Sequence, residues 1–427
     1  MKQVLHITPH LGGGVGRALS GLLTAAGDSP NWRHRLVCLE QPEKRQFIDS
    51  LEQAGCEVTI APDDAALQCM IADADIVQLE FWNHPSLIRA ICELEIPPLR
   101  MVIWCHSSGL HFPALPDALF ATCHRFVFTS ACSLQAANVQ TMDTVQRERL
   151  AIISSAGGME RLPLRNRDQR SSLRAGYVGS LNFSKLHPDY VALLSAIADS
   201  TLSVRMIGDE SNRASLERQC ADVGRPGMLD FAGYTTNVMA ELAELDILVY
   251  LLNPTHYGTA EIALLEAMAM QVVPIVMGNR CEREIVEDGV TGFVVTDSES
   301  LAARVKWLRD HEQQRIEMGR RAAAFVRNQF TYARMIAQFE LLYADVMALA
   351  KCRFDYAQVF GERPSEWFRA FVGAPLRFSD DGSVNMPQDY LRDAMYEQSK
   401  GSVYHFAGAF PKDALLLKWR DRLERMR

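Results

Sequence analysis

The chain has 427 residues, 48% hydrophobic and 22% charged, enough for two domains that each bury a core of their own. A formal net charge of −8 excludes the basic excess expected of a nucleic-acid binder. No apolar run is long enough to span a bilayer, and the opening MKQVLHIT reads as a first strand rather than a secretory leader.

In chain order, short β-branched runs alternate with segments of helical period, the pattern of parallel strands joined by crossover helices. The first half offers VLHIT, HRLVCL, EVTIA, DIVQLEF, RMVIWCH, RFVFTS and LAIIS. The pattern pauses over the arginine-rich stretch Arg161 to Arg174, the expected linker. It restarts with AGYVGS, SVRMIGD, MLDFAGY, DILVYLL, VVPIVM and GFVV. From Ser298 to about Ala350 the period is helical, with apolar positions at Leu301, Val305, Leu308, Phe325, Met335, Phe339 and Leu342. The tail from Lys351 to Arg427 is less regular and rich in aromatics. An α/β fold is therefore expected: two doubly wound Rossmann-like domains, residues 1–165 and 166–335, face a central cleft, and a mainly helical extension, residues 336–427, packs back on the globule. The ten cysteines stand singly, without a C-x-x-C pair, and read as buried thiols of a reducing, cytoplasmic compartment.

After the first strand comes Gly12-Gly13-Gly14-Val15-Gly16-Arg17, leading into an apolar helix pattern. Glycines at such a turn let backbone N–H groups approach phosphate, and a helix N-terminus adds a favourable partial charge. Arg17 stands where a dinucleotide fingerprint would need its third glycine, so the NAD reading is remote. A phosphate loop and a turn used for packing both satisfy these residues.

In the second half, Tyr257-Gly258-Thr259-Ala260-Glu261 precedes Ile262-Ala263-Leu264-Leu265-Glu266-Ala267-Met268-Ala269. Glu266 lies in an otherwise small and apolar helix, where an unpaired carboxylate is costly, so a ligand or a fixed partner is expected. A carboxylate at a Rossmann-like mouth is suited to accept hydrogen bonds from ribose hydroxyls.

Glu266-Ala267-Met268-Ala269, Pro274-Ile275-Val276 and Glu284-Ile285-Val286-Glu287-Asp288-Gly289-Val290-Thr291-Gly292-Phe293-Val294-Val295 resemble the donor-site signature of family 4 retaining glycosyltransferases of GT-B architecture. Val178-Gly179-Ser180-Leu181-Asn182-Phe183-Ser184-Lys185, Ile207-Gly208-Asp209 and Phe231-Ala232-Gly233-Tyr234 fall in the matching order. The resemblance implies that the first domain faces the acceptor and the second holds a nucleotide-diphosphate sugar, the donor substrate. Lys185 and the loop Gly12, Gly13, Gly14 and Gly16 are implied at the diphosphate, Glu266 at the ribose and His106 at the sugar. Gly258, Thr259, Ala260 and Glu261 are further candidates for the donor site, since the backbone N–H groups of the first three, expected at a helix start, can meet a phosphate or a sugar hydroxyl. The resemblance further implies transfer with retention, no metal ion or other cofactor, and a setting in bacterial-type surface glycan or glycolipid assembly.

Two positions depart from the family. Ser180 stands where an arginine is usual, and Gly258 where an acid is usual, eight positions before Glu266. Glu261, on another face of the helix, does not simply replace that acid. These departures leave open a catalytically silent module that binds nucleotide or glycan. Glu80, Trp82 and His84 are candidates for the acceptor side, and the acceptor is a glycan, a lipid-linked molecule or a small molecule. Leu415, Leu416, Trp419, Leu423 and Met426 share a helical face. That face suits docking onto the globule; a peripheral contact with the inner face of a membrane is the second reading, which the neighbouring Asp421 and Glu424 weaken.

Overall fold

Strands covered on both faces need apolar side chains at consecutive positions, and the thirteen runs above supply them. In the computed structural model, which describes residues 1–27, 29–164, 172–373, 377–387 and 393–426, they form two parallel sheets. Residues 165–171 of the expected linker lie outside the described residues.

The first sheet has the order β3-β2-β1-β4-β5-β6-β7. Its strands are β1 (Lys2–Thr8), β2 (Trp32–Cys38), β3 (Glu57–Ile60), β4 (Ile76–Phe81), β5 (Met101–Cys105), β6 (Arg125–Phe128) and β7 (Leu150–Ile152). The second has the order β10-β9-β8-β11-β12-β13. It is made of β8 (Ala175–Val178), β9 (Val204–Ile207), β10 (Leu229–Gly233), β11 (Ile247–Tyr250), β12 (Val273–Met277) and β13 (Phe293–Val295). Each order reverses once, between β1 and β4 and between β8 and β11, and such switch points leave a crevice at the carboxyl ends of the strands. The GT-B architecture of two Rossmann-like domains is thus present.

Three helices follow the second sheet: Ser298–Asp310, Glu312–Gln329 and Tyr332–Met347. The last crosses back to the first sheet, where Met335, Phe339, Leu342 and Tyr343 pack against Val4, Ile76, Val102 and Trp104. Phe325 is 37% exposed and takes no part in the buried core. The mainly helical tail packs on the other side of the same sheet. There Trp367, Phe368, Phe406, Leu416, Trp419 and Leu423 share a core with Leu79, Phe81, Ile103 and Phe126. Leu415 is only partly buried, and Met426 is 43% exposed. Among the described residues no helix is long and apolar enough to cross a membrane. All ten cysteines are free, and Cys69 and Cys352 are exposed, against the expectation that all would be buried.

Candidate functional site

Both switch points open toward one another, and their loops supply the candidate residues. From the first sheet, the chain leaves β1 and starts the helix Gly13–Ala25 with Gly12 as its N-cap. Gly13 has φ +55, a backbone state that favours glycine. The N–H groups of Gly13, Gly14 and Val15 precede the first intrahelical bond, from Gly16 N–H to Gly12 O at 3.0 Å, and point out of the helix end. A side chain at Gly16 would meet the Phe47 ring at 2.8 Å, so that glycine also serves packing. A Cβ at Gly14 would stand 3.5 Å from Ile262 Cδ1, which shows how closely this turn abuts the second domain.

On the second sheet, β8 is followed by Gly179 and Ser180, and the loop beyond them brings Lys185 to Glu261, Nζ to Oε2 at 3.1 Å. The Tyr250 hydroxyl donates to the same oxygen at 2.6 Å. Glu261 is buried and left-handed, φ +43 and ψ 55, as N-cap of the helix Ile262–Ala269. A non-glycine residue there carries backbone strain of about 1–3 kcal/mol, which surrounding contacts must hold in place. Burial pushes the Glu261 carboxyl up, but Lys185 and His256 outweigh it and hold the group below the usual carboxylate range. Burial pushes Lys185 down, and Glu261 more than restores it, so its ammonium is held charged.

Five residues on, Glu266 is buried and faces the first domain, where Arg17 Nη1 reaches its Oε1 at 2.6 Å. Burial raises the Glu266 carboxyl, and Arg17 offsets only part of that rise. Neither Glu261 Oε1 nor Glu266 Oε1 has an aligned hydrogen-bond donor among the described residues. The cap and the body of one helix therefore carry two buried carboxylates at the domain junction, each beside a cation and each with unused acceptor capacity.

Glycine at position 258 has a specific cause. A Cβ there would fall 2.0 Å from Glu261 Oε1 and 2.9 Å from His256 Nδ1. The carboxylate of Glu261 thus fills the volume into which a side chain at 258 would project, which corrects the expectation that its helix face sets it apart. Gly258, Thr259 and Ala260 also lie before the helix, not at its first residues, and the Gly258 N–H already donates to His256 Nδ1 at 3.0 Å. Thr259 Oγ1 instead meets Thr129 Oγ1 of the first domain, and Ser108 N–H donates to Tyr257 O at 2.9 Å.

His106 follows β5 at the mouth of the cleft, with Nε2 2.9 Å from Glu80 Oε2. Glu80 is not an acceptor-side surface group: it is fully buried, receives Gln78 Nε2 at 2.9 Å and lies 3.1 Å from His6 Nδ1. His6 continues to His34, 2.9 Å away, and Gln78 accepts from the Tyr343 hydroxyl at 2.6 Å. Burial raises the Glu80 carboxyl, but hydrogen bonds from His106 and His6 outweigh it and keep the group below its ordinary range. His84, also buried, caps the helix Pro85–Glu93 and packs edge-on against His405, while Trp82 packs edge-on against His10.

The folded chain therefore gathers Lys185, Glu261, Glu266 and the glycine loop along the domain junction, while His106 stands at the mouth of the first sheet. In the sequence Arg17 shows only as a break in the glycine pattern, and an arginine one turn into a glycine-started helix is the signal it offers. The buried row His6, Gln78 and Glu80 was signalled by polar residues at period two inside apolar strands. Among the described residues no group of three or more His, Cys, Asp or Glu side chains is placed to hold a metal ion.

Residues 173–311 match the family described as glycosyl transferases group 1. N-acetyl-α-D-glucosaminyl L-malate synthase of Bacillus anthracis is 28% identical over 161 residues, a span covering 36% of this chain and 41% of that enzyme. Anabaena HepE, solved in complex with UDP-glucose, superposes with a TM-score of 0.66 at 15% identity, covering 81% of this chain and 100% of the other. A glycosyltransferase from Rickettsia africae gives 0.65 at 13% identity, with 81% and 98% covered. At these identities the two structures speak for the fold.

Proposed function

We propose that the protein is a GT-B glycosyltransferase, which moves a sugar from a nucleotide-diphosphate donor to an acceptor hydroxyl with retention and without a metal ion. The observation that carries this reading is the helix Ile262–Ala269, with Glu261 at its cap and Glu266 within it, inside the segment that matches the group 1 family. Glu266 accepts from the donor ribose. Lys185 and the N–H groups after Gly12 meet the diphosphate, and His106 meets the sugar. The bond between the anomeric carbon and the diphosphate oxygen breaks, and a new bond to the acceptor oxygen forms on the same face. The acceptor's proton passes to the departing phosphate oxygen. Catalysis then rests on positioning and on stabilising the charge that grows on the leaving group.

The UDP-glucose held by the Anabaena relative supports a UDP-sugar as the first donor to try. The acceptor is proposed to sit on the first domain, as a glycan, a lipid-linked molecule or a small molecule, in surface glycan or glycolipid assembly on the cytoplasmic side of a membrane. Release of UDP from UDP-glucose, with and without an acceptor panel, tests the reading. Turnover should survive a chelator and fall about 100-fold or more in Lys185→Ala and Glu266→Ala. Strict dependence on added divalent ion refutes the metal-free mechanism. Binding without turnover across donors and acceptors favours the silent module that Ser180 and Gly258 suggest.

A further inference from the structure

We infer that Arg17 is a diphosphate-binding residue delivered from the first domain, and that it exchanges Glu266, the carboxylate proposed for ribose and its partner in this structure, for the phosphates of the donor. The inference rests on the nucleotide-sugar reading above and adds to it a residue, a charge and an exchange of partners.

Three observations lead there. Arg17 lies on the helix Gly13–Ala25, whose free N–H groups already face the cleft, and its guanidinium crosses the domain boundary to Glu266 at 2.6 Å. The Arg17 side chain is 35% exposed, whereas Glu266 is only 6% exposed. The carboxylate is thus fixed in the protein while the cation lies at the edge of the open crevice. The contact is also a poor one of its kind: the strong arginine–carboxylate pairing is a bidentate fork, and here Oε1 receives no aligned N–H.

Charge supplies the reason. A nucleoside diphosphate brings at least two negative charges, and Ser180 offers no cation to meet them. Lys185 is already committed to the buried Glu261, which also holds the Tyr250 hydroxyl. Arg17 is the neighbouring cation whose present partner the donor itself would occupy. When ribose hydroxyls donate to Glu266, they supply the hydrogen bonds its Oε1 lacks and take the place of Arg17 beside it. The guanidinium, always charged and on a flexible stem, turns to the phosphates beside the N–H groups of Gly13 and Gly14. The two halves of the donor therefore favour each other's binding, since the sugar end of the nucleotide frees the cation its phosphate end requires. The same movement ties the first domain to the loaded second domain.

Calorimetric titration of the full-length chain with UDP and with uridine separates the parts, with GDP and ADP and their nucleosides run alongside. Arg17→Ala should weaken diphosphate binding roughly 10- to 100-fold, and flatten its salt dependence, while nucleoside affinity stays level or tightens because Glu266 is uncovered. Arg17→Lys should recover part of the loss, as a point charge without the fork. Equal weakening of nucleoside and diphosphate in Arg17→Ala, or no change in either, overturns the inference while leaving donor binding intact. Failure of the wild-type chain to bind any of the diphosphates instead overturns the donor reading itself, and the inference with it. Thermal unfolding of Arg17→Ala shows whether the variant is folded. Should it not be, Glu266→Gln, which releases Arg17 without removing it, gives the second reading: nucleoside binding should fall more than diphosphate binding, and the reverse order overturns the exchange.

Discussion

Nε2 of His106 and Oε2 of Glu80 lie 2.9 Å apart, which joins a histidine at the mouth of the cleft to a carboxylate with no exposure to solvent. The second oxygen of Glu80 is held by His6 and Gln78, so the carboxylate cannot turn away, and it fixes both the plane of the imidazole and the nitrogen that carries its proton. In the proposed reaction Glu80 is thus expected to act through His106, as a positioning residue. Glu80→Gln keeps the shape and removes the charge. It should lower kcat for donor turnover about 10-fold with KM nearly unchanged, and move the pH profile. An unchanged profile with only a lower Tm would reduce Glu80 to a structural role.

Gly258→Ala tests the space that Glu261 occupies. The added methyl group would fall 2.0 Å from the Glu261 carboxylate, and overpacking of this kind costs about 1–3 kcal/mol. Thermal unfolding should show the loss, and donor turnover should fall with it. Gly258→Glu combined with Glu261→Ala moves the acid back to position 258 and removes the clash. The pair should retain more activity than Gly258→Glu alone.

Lys185 and Glu261 are coupled because each charge is buried against the other. Lys185→Met alone leaves the carboxylate uncompensated, and breaking a buried pair on one side costs about 3–5 kcal/mol. The double variant Lys185→Met with Glu261→Gln should recover most of the Tm and none of the turnover. Denaturation and UDP release, measured on the wild type, on Lys185→Met and Glu261→Gln singly and on the double variant, separate the structural share of the pair from its proposed role at the diphosphate.

Buried and half-buried histidines make the stability of the fold depend on pH on the acid side. Burial depresses His10 and His405 to about 4, with Lys400 adding to the effect in both. Burial takes His34 to about 3, with His6 beside it, and His84 to about 2, beside His405 and His10. Each stays neutral in the folded chain, while the unfolded chain takes up its proton near the ordinary 6.5. Their contribution is complete above that pH and is lost progressively as the pH falls toward the folded values. Glu80 has the opposite charge type and a lowered folded pKa, so its contribution is lost only below the carboxylate range. The Tm should therefore fall steadily between pH 7 and pH 5. His34→Gln, which keeps a polar partner for His6 without titrating, should flatten the slope.

Trp419 is fully buried, and its indole N–H donates to Ser379 O at 3.0 Å. It packs against Phe368 and Phe378 in the core shared with the first sheet. Trp419→Ala should cost about 3–5 kcal/mol in denaturant unfolding. A negligible cost would mean that the tail is an appendage rather than part of that core.

Much was legible in the sequence because much of it is local. Alternating strand and helix periods point to the thirteen strands that form two sheets among the described residues, and the run from Glu284 to Val295 lies within the segment that matches the group 1 family. Carboxylates in apolar surroundings, such as Glu266, announce a partner because an isolated buried charge is too costly to keep. The identity of that partner was not legible. Arg17 and Glu266 come from different sheets, and only the facing of the two switch points brings them together. Glu80 reads as a strand-end candidate for the acceptor side until the pairing of β4 with β5 sets it opposite Trp104, next to His106. The relation between Gly258 and Glu261 depends on a left-handed backbone at Glu261 that helix periodicity cannot anticipate. Periodicity records which face of an element is buried, whereas the chemistry of the cleft depends on which elements meet, and that is decided by how the sheets pack.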